Sequence, residues 1–460
     1  MMRHTDRPLW VVFLSTLVFI LTLIVYTTVK SISVELQFTV NSTPIDYMEE
    51  PAVEKYITYY PHSGLHNQRI SLINAIVIAK ALKRTLIVPE MSVGKAIPWN
   101  PSKRLERMMS MCPGHSNAGN GCYIFRDYLS LPTEAIFDLS FARHNGVRLV
   151  ARANMSLNYF EDVWSATEQD IYHIREGTRF SYRIFDKKDN HDTLYNFTRR
   201  IDIQDLAIVE ERFIVFGSVF YEDRLSLSDP ELALFAHRLH GEIRLNHPIV
   251  TQQVLKIISL FGGPNHFVGA HLRQGDGIFK TLQNQTESVI KLGLGQDIIP
   301  RAEYNPTRPP APSNRSLTSQ ETDMIKDLQG IQDITTLLTK CLAIHHADNH
   351  PRFRLIYLAT DAPHPRDTLK DLHIEFPCLF TLSDFPEIIQ QALMAQPMPI
   401  GNDWVDCKSL RLGTQINSFL IPMIDAEVAS HASAFVGTSG STFSAYIIYR
   451  VNHLQSLYAT

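Results

Sequence analysis

Cysteine is scarce in this chain of 460 residues, with 5 in all, and no two stand in a Cys-x-x-Cys spacing, which disfavours a zinc site. Charge of either sign is nearly cancelled, 43 Lys and Arg against 47 Asp and Glu, so nothing points to a nucleic-acid surface. Several nucleotide and hydrolase signatures are missing. There is no Gly-x-x-x-x-Gly-Lys-Ser/Thr loop, no His-Glu-x-x-His, and no Gly-x-Gly-x-x-Gly after the first strand. Gly437-Thr438-Ser439-Gly440-Ser441 departs from the nucleophile elbow at its last position. Asp-x-Asp occurs nowhere. The usual carboxylate pair that holds a divalent ion on a sugar diphosphate is therefore missing, and a bound diphosphate would be neutralised by protein cations and backbone N–H groups.

What is present starts with an apolar run. Leu9 to Val29 carries no charge, and at about 1.5 Å per residue it reaches across one bilayer core, roughly 30 Å. Arg3 and Arg7 precede it and Lys30 follows, which sets the N-terminus in the cytosol. The expected layout is a cytosolic tail (1–8), a retained signal anchor (9–29) and a polar stem (30–53), a single-pass type II protein with its body across the membrane. Glycosylation acceptor triplets begin at Asn41, Asn154, Asn196, Asn284 and Asn314. Cys112 and Cys122 flank a Gly/Asn-rich stretch that a disulfide would close into a small loop. Cys341, Cys378 and Cys407 allow one further bridge and leave one thiol.

The chain as a whole is 45% hydrophobic, and the length that remains after the stem exceeds one ordinary core. Tyr56 to Tyr60 reads as a strand, Pro61 to Gly64 as a turn, Asn67 to Lys83 as a helix, and Thr85 to Pro89 as a second strand. That is a βαβ unit. Further strands are expected over 147–150 and 212–216, and helices over 230–241 and 248–260. Phe267 to Leu272 opens a second α/β half, followed by a buried strand over 353–361. A helical stretch over 410–431 is expected to break near Pro422, and Ala434 to Gly437 leads into a last helix from Ser441. The stretch 280–318 reads as an exposed insertion. The expected fold class is α/β, with two Rossmann-like domains, 54–250 and 251–460, facing a cleft.

The cleft chemistry is concentrated in His271-Leu272-Arg273-Gln274-Gly275-Asp276. His271 and Arg273 share one face of an extended chain, at the carboxyl end of a buried strand where α/β sheets bind ligands. A planar guanidinium there suits a phosphate; an ion pair is the plainer reading of a single arginine. Ser441-Thr442-Phe443-Ser444 offers free amides and hydroxyls at a helix start, an anion site or simply an N-cap. In the first half, Gly64 permits close approach of backbone to a ligand, and Asn67 either caps the helix or reaches into the cleft.

These pieces together resemble the GDP-fucose-dependent fucosyltransferases, the protein O-fucosyltransferases and α1,6-fucosyltransferases. His271-Leu272-Arg273 resembles their His-x-Arg segment. Gly64-Leu65-His66-Asn67-Gln68 resembles their Gly-x-x-Asn-Gln loop. Tyr357 to Asp361 resembles their strand ending in Thr-Asp, and Phe435-Val436-Gly437 with Ser441-Thr442-Phe443 resembles their last motif. The resemblance implies a GT-B fold and an inverting transfer of fucose from GDP-fucose to a hydroxyl on a protein or glycan, with no metal or other cofactor, in the Golgi or ER. It implies that Arg273 contacts the β-phosphate and the glycosidic oxygen, and that His271 sits by the donor. Asn67, with Gly64, would lie near the donor phosphates, Asp361 would end the donor-side strand, and Asp425 would hydrogen-bond the guanine. Ser441, Thr442 and Phe443 would hold phosphates and base. Gln274 stands where many of these enzymes have a second arginine. The first Gly-rich loop has no glutamate, and His62 and His66 are its candidate bases. Two other readings are a GT-B transferase with another nucleotide sugar and an inactive lumenal protein that kept the fold to bind nucleotide or glycan.

Overall fold

Tyr56-Ile57-Thr58-Tyr59 is buried along its whole length, as expected of a central parallel strand covered on both faces. This strand (β1) is the centre of a five-stranded sheet in a computed structural model that describes residues 54–94, 96–111, 128–275, 277–296, 316–345, 350–395 and 416–458. The leader and stem, Cys112, Cys122, Cys407, Asn41 and Asn314 lie outside the described residues. All described residues fall within one compact unit, Glu54–Thr460. Among them, no helix is long and apolar enough to cross a membrane.

After β1, helix α1 (Leu65–Leu82) leads to β2 (Thr85–Val88), parallel to β1 with Tyr56 opposite Thr85. The sheet is completed by β3 (Leu149–Ala151), β4 (Ile171–Ile174) and β5 (Phe213–Phe216) in the order β3-β2-β1-β5-β4, every pair parallel. Helix α2 (Pro230–Glu242) starts where Asp229 accepts hydrogen bonds from the N–H groups of Glu231 and Leu232, with proline at the first helical position. Helix α3 (Pro248–Leu260) follows.

The second sheet has β6 (Val268–Leu272), β7 (Ile356–Thr360), β8 (Leu379–Phe380) and β9 (Ala434–Gly437) in the order β8-β7-β6-β9, again all parallel. Two parallel sheets in succession along the chain, each flanked by helices, give the α/β class. Helix α3 packs as a whole on the second half's helix α5 below, because its buried stripe of Val250, Val254, Ile257 and Ile258 needs one continuous partner.

Two expectations for the second half are corrected. Part of the stretch 280–318 is helix α4 (Gln283–Leu294), and its Ile290 and Leu294, one turn apart, are fully buried in the core beside β6. Residues 297–315 lie outside the described part. Pro422 does not interrupt a helix. It is the third residue of helix α5 (Leu420–Ser430), where a backbone N–H has no intrahelical partner to lose. Cys341 and Cys378 are joined as a disulfide and are both fully buried.

The last helix, α6 (Thr442–Tyr458), returns to the first half and packs on α1 and α2. Tyr446 Oη accepts a hydrogen bond from the Leu245 N–H at 3.1 Å, and Arg450 donates to the Gly241 carbonyl at 2.8 Å. Asn154, Asn196 and Asn284 are exposed.

Candidate functional site

Strand β6 is buried through Leu272, so Arg273 is the first residue to leave the sheet. The turn that carries it is fixed from both neighbouring strands. Asp361, just past β7, accepts hydrogen bonds from the N–H groups of Gln274 at 2.7 Å and Gly275 at 2.9 Å. Thr360 donates to the Leu272 carbonyl at 2.8 Å. Thr438, just past β9, donates to the His271 carbonyl at 2.9 Å and accepts from the Arg273 N–H at 3.1 Å. Asp361 thus acts on the arginine turn. The Arg273 guanidinium lies 4.9 Å from the Phe279 ring centre and reaches a cavity of about 630 Å³.

That cavity draws its walls from both halves. The first half supplies His62 to Asn67, the stretch around Trp99, and Arg179, Phe220 and Tyr221. The second supplies Arg273, the start of α5 and Thr442 and Phe443. Among the described residues its lining includes two arginines, Arg179 and Arg273, and no carboxylate, a lining that suits an anionic ligand. Across the cleft, the Thr442 hydroxyl donates to Asn67 Oδ1 at 2.7 Å, joining the starts of α6 and α1.

The histidine of the arginine strand faces away from solvent. His271 is 4% exposed, its Nδ1 is 2.7 Å from Ser444 Oγ, and its ring lies 4.4 Å from that of Phe443. Phe443 has His66 on another side, 5.1 Å away and edge-on. Phe443 is thereby fixed as a partly exposed ring on the cavity wall. Ser441 precedes α6 after Gly440, which takes φ +71°, a left-handed turn that glycine adopts without strain. The Ser441 hydroxyl is buried without a hydrogen-bond partner, at a helix start whose amides are free for an anion.

Gly64 caps α1 with φ −71°, an ordinary conformation, and a Cβ built there meets nothing within 4 Å. Its lack of a side chain leaves open space at the cavity and serves no backbone requirement. His62 is bonded through both ring nitrogens, to Ser63 Oγ and Ser218 Oγ at 2.8 Å each. Burial lowers it to about 3, helped by Arg224 and Arg179. His66 is lowered to about 3 by burial and then by Arg69, His271 and Arg273, and His271 to about 3 by burial and Arg273. All three are neutral at neutral pH, and neither candidate base is matched to accepting a proton there.

Asp425 lies apart from these residues, under the end of β7. Its carboxylate accepts from Tyr357 Oη at 2.6 Å and from the Thr360 N–H at 3.1 Å, and burial raises it to about 7. It does not line the cavity. Among the described residues, no three His, Cys, Asp or Glu side chains gather as a metal site.

Sequence reading did not single out Thr438, Trp99, Arg179, Phe220 or Tyr221 for the site. Thr438 stands directly after a strand at the sheet end that binds ligands, which is a usable signal. The others reach the cavity through long-range packing that no local pattern announces.

No protein-family model and no curated protein matches the sequence. The chain is similar to solved fucosyltransferase structures. POFUT1 in complex with GDP gives 14% identity and a TM-score of 0.40, covering 87% of this chain and 95% of that one. POFUT1 in complex with GDP-fucose gives 13% and 0.38, covering 88% and 96%. The fucosyltransferase NodZ from Bradyrhizobium gives 12% and 0.33, covering 86% and 92%.

Proposed function

We propose that this chain is an inverting glycosyltransferase of GT-B architecture that moves fucose from GDP-fucose to a hydroxyl on a protein or glycan acceptor. The observation that carries this reading is the convergence of four separate motifs on one cleft. The arginine turn after β6 is clamped by the Thr-Asp end of β7 and by Thr438 after β9. The start of α6 is bonded to Asn67 of the first Gly-rich loop.

In this reading the acceptor oxygen forms a bond to C1 of the sugar from the first half's side, and the bond from C1 to the β-phosphate oxygen breaks. Arg273 meets the negative charge that grows on the departing diphosphate, and it does so more strongly in the transition state than before it. The unpartnered Ser441 hydroxyl and the amides at the start of α6 take phosphate oxygens, and Phe443 offers a face to the base. With no carboxylate among the described lining residues and both histidines depressed, the acceptor proton passes to water in the cavity, late, after the bond from C1 to the diphosphate oxygen has largely broken. Metal independence is part of the proposal and follows from the missing Asp-x-Asp. Membrane anchoring through residues 9–29 and a Golgi or ER location are also proposals, whereas Asp425, bonded to Tyr357 and Thr360 away from the cavity lining, is not assigned the guanine contact that the resemblance implies.

The test is thermal unfolding of the purified full-length protein in EDTA with GDP or UDP. The reading predicts stabilisation by GDP and little by UDP. Equal shifts would point to another nucleotide sugar, and no shift with either would contradict donor binding.

A further inference from the structure

The first half's wall of the cavity holds a second arginine and a set of rings that the donor chemistry does not use. The Arg179 side chain is exposed on this wall, 6.0 Å from the Trp99 ring centre, and no carboxylate among the described residues pairs with it. The nearby carboxylate is already committed. Glu176 is buried and bound to the fully buried Arg224 at 2.8 Å, while its other oxygen accepts from Trp99 Nε1 at 3.2 Å. The indole is thereby oriented and Arg179 is left as an uncompensated cation facing the cavity.

The wall is built rigidly and at a cost. Tyr221 takes φ +95° and Ser63 takes φ +69°, both left-handed conformations that are strained for residues other than glycine, and both residues line the cavity. Tyr221 is held there by Asn74, whose side-chain amide donates to the Val219 and Tyr221 carbonyls at 2.8 and 2.9 Å. Arg224 donates to the Phe220 carbonyl at 2.9 Å and to the Arg179 carbonyl at 3.1 Å. The rings of Phe220 and Tyr221 lie 4.3 Å apart. Strain that the surroundings maintain at a cavity marks a surface shaped for a ligand.

We propose that Arg179, with the Trp99, Phe220 and Tyr221 rings, forms an acceptor subsite for a saccharide that carries a carboxylate. This deepens the glycosyltransferase reading and rests on it. The half-exposed Trp99 ring offers a flat apolar face to the C–H face of a pyranose, the Phe220 and Tyr221 rings, packed on each other and on Phe180, back the wall beside it, and the planar guanidinium donates two parallel hydrogen bonds to a carboxylate. A flexible acidic peptide has no use for ordered ring platforms, which is why the saccharide is favoured.

The experiment measures binding of cellobiuronic acid and of neutral cellobiose to the GDP-loaded full-length protein by saturation-transfer NMR, with an acidic peptide as a third probe. The GDP-induced thermal shift is read in the same samples. The proposal predicts at least about tenfold preference for the acidic disaccharide, weakened by salt. The preference falls below about twofold in Arg179→Ala and is partly kept in Arg179→Lys. Equal binding of the two disaccharides, preference for the peptide, or a loss in Arg179→Ala that falls on GDP rather than on the saccharide would each overturn it. If GDP gives no shift while the Arg179-dependent preference persists, the subsite stands and the donor reading fails.

Discussion

At the scale of single residues, the site depends on what each side chain is free to do after the fold has used it. Asp361 spends both carboxylate oxygens on the turn that carries Arg273, and Asp425 spends its own on Tyr357 and Thr360. Ser441 keeps an unused hydroxyl. Gly64 has an ordinary φ and open space where a Cβ would stand, so Gly64→Ala is expected to leave the unfolding temperature unchanged or slightly raised, because alanine has less backbone entropy to lose. The same variant is expected to reduce the GDP-induced shift, since the added methyl occupies space at the cavity. Measuring both in one thermal series separates a packing role from a ligand-approach role.

At the scale of elements, local pattern was enough to find the parts that carry their own periodicity. The β1–α1–β2 unit and strands β6, β7 and β9 lie within a few residues of where apolar runs and turn residues put them. The errors have physical causes. Helix α4 was hidden because its polar surface and a glycosylation triplet outweigh the two residues, Ile290 and Leu294, that bury it. Pro422 suggested a break because a proline reads as a helix breaker unless its position in the first turn is known. The four motifs of the site were legible because each sits at a strand or helix end and needs only nearby residues to be read. The opposite wall was not legible. Glu176 orders Trp99 from 77 residues away, Asn74 holds Tyr221 from 147 away, and the Asp425–Tyr357 bond spans 68. Such contacts exist only once the sheets have formed.

At the scale of the whole molecule, buried titratable groups set how stability responds to pH. His62, His66, His240 and His271 are lowered to about 3 and His373 to about 4, in each case chiefly by burial. Each takes up a proton on unfolding between its native value and the unfolded value near 6.5, so its contribution is complete above about pH 6.5 and is lost as pH falls. Glu176 and Asp425 are raised to about 7 by burial, so their contribution runs the other way: complete below about pH 4 and lost as pH rises through 7. Five histidines against two carboxyls leave a net uptake on unfolding below pH 6.5. The unfolding temperature is therefore expected to be clearly lower at pH 5 than at pH 7, with only a small change from pH 7 to 8. Calorimetry across that range checks this; a higher unfolding temperature at pH 5 would show that these histidines are not buried neutral.

The central claim is that one guanidinium at the end of β6, aided by the free amides and hydroxyl at the start of α6, takes up the charge of a departing nucleoside diphosphate without a metal ion. Its most direct test is the rate of GDP release from GDP-fucose in EDTA, by wild type and by Arg273→Ala, with the donor saturating. The account predicts turnover in EDTA and a loss on the order of 10²–10³ in the variant, the usual cost of removing such a charge-stabilising donor. Turnover by the variant within about threefold of wild type would contradict it.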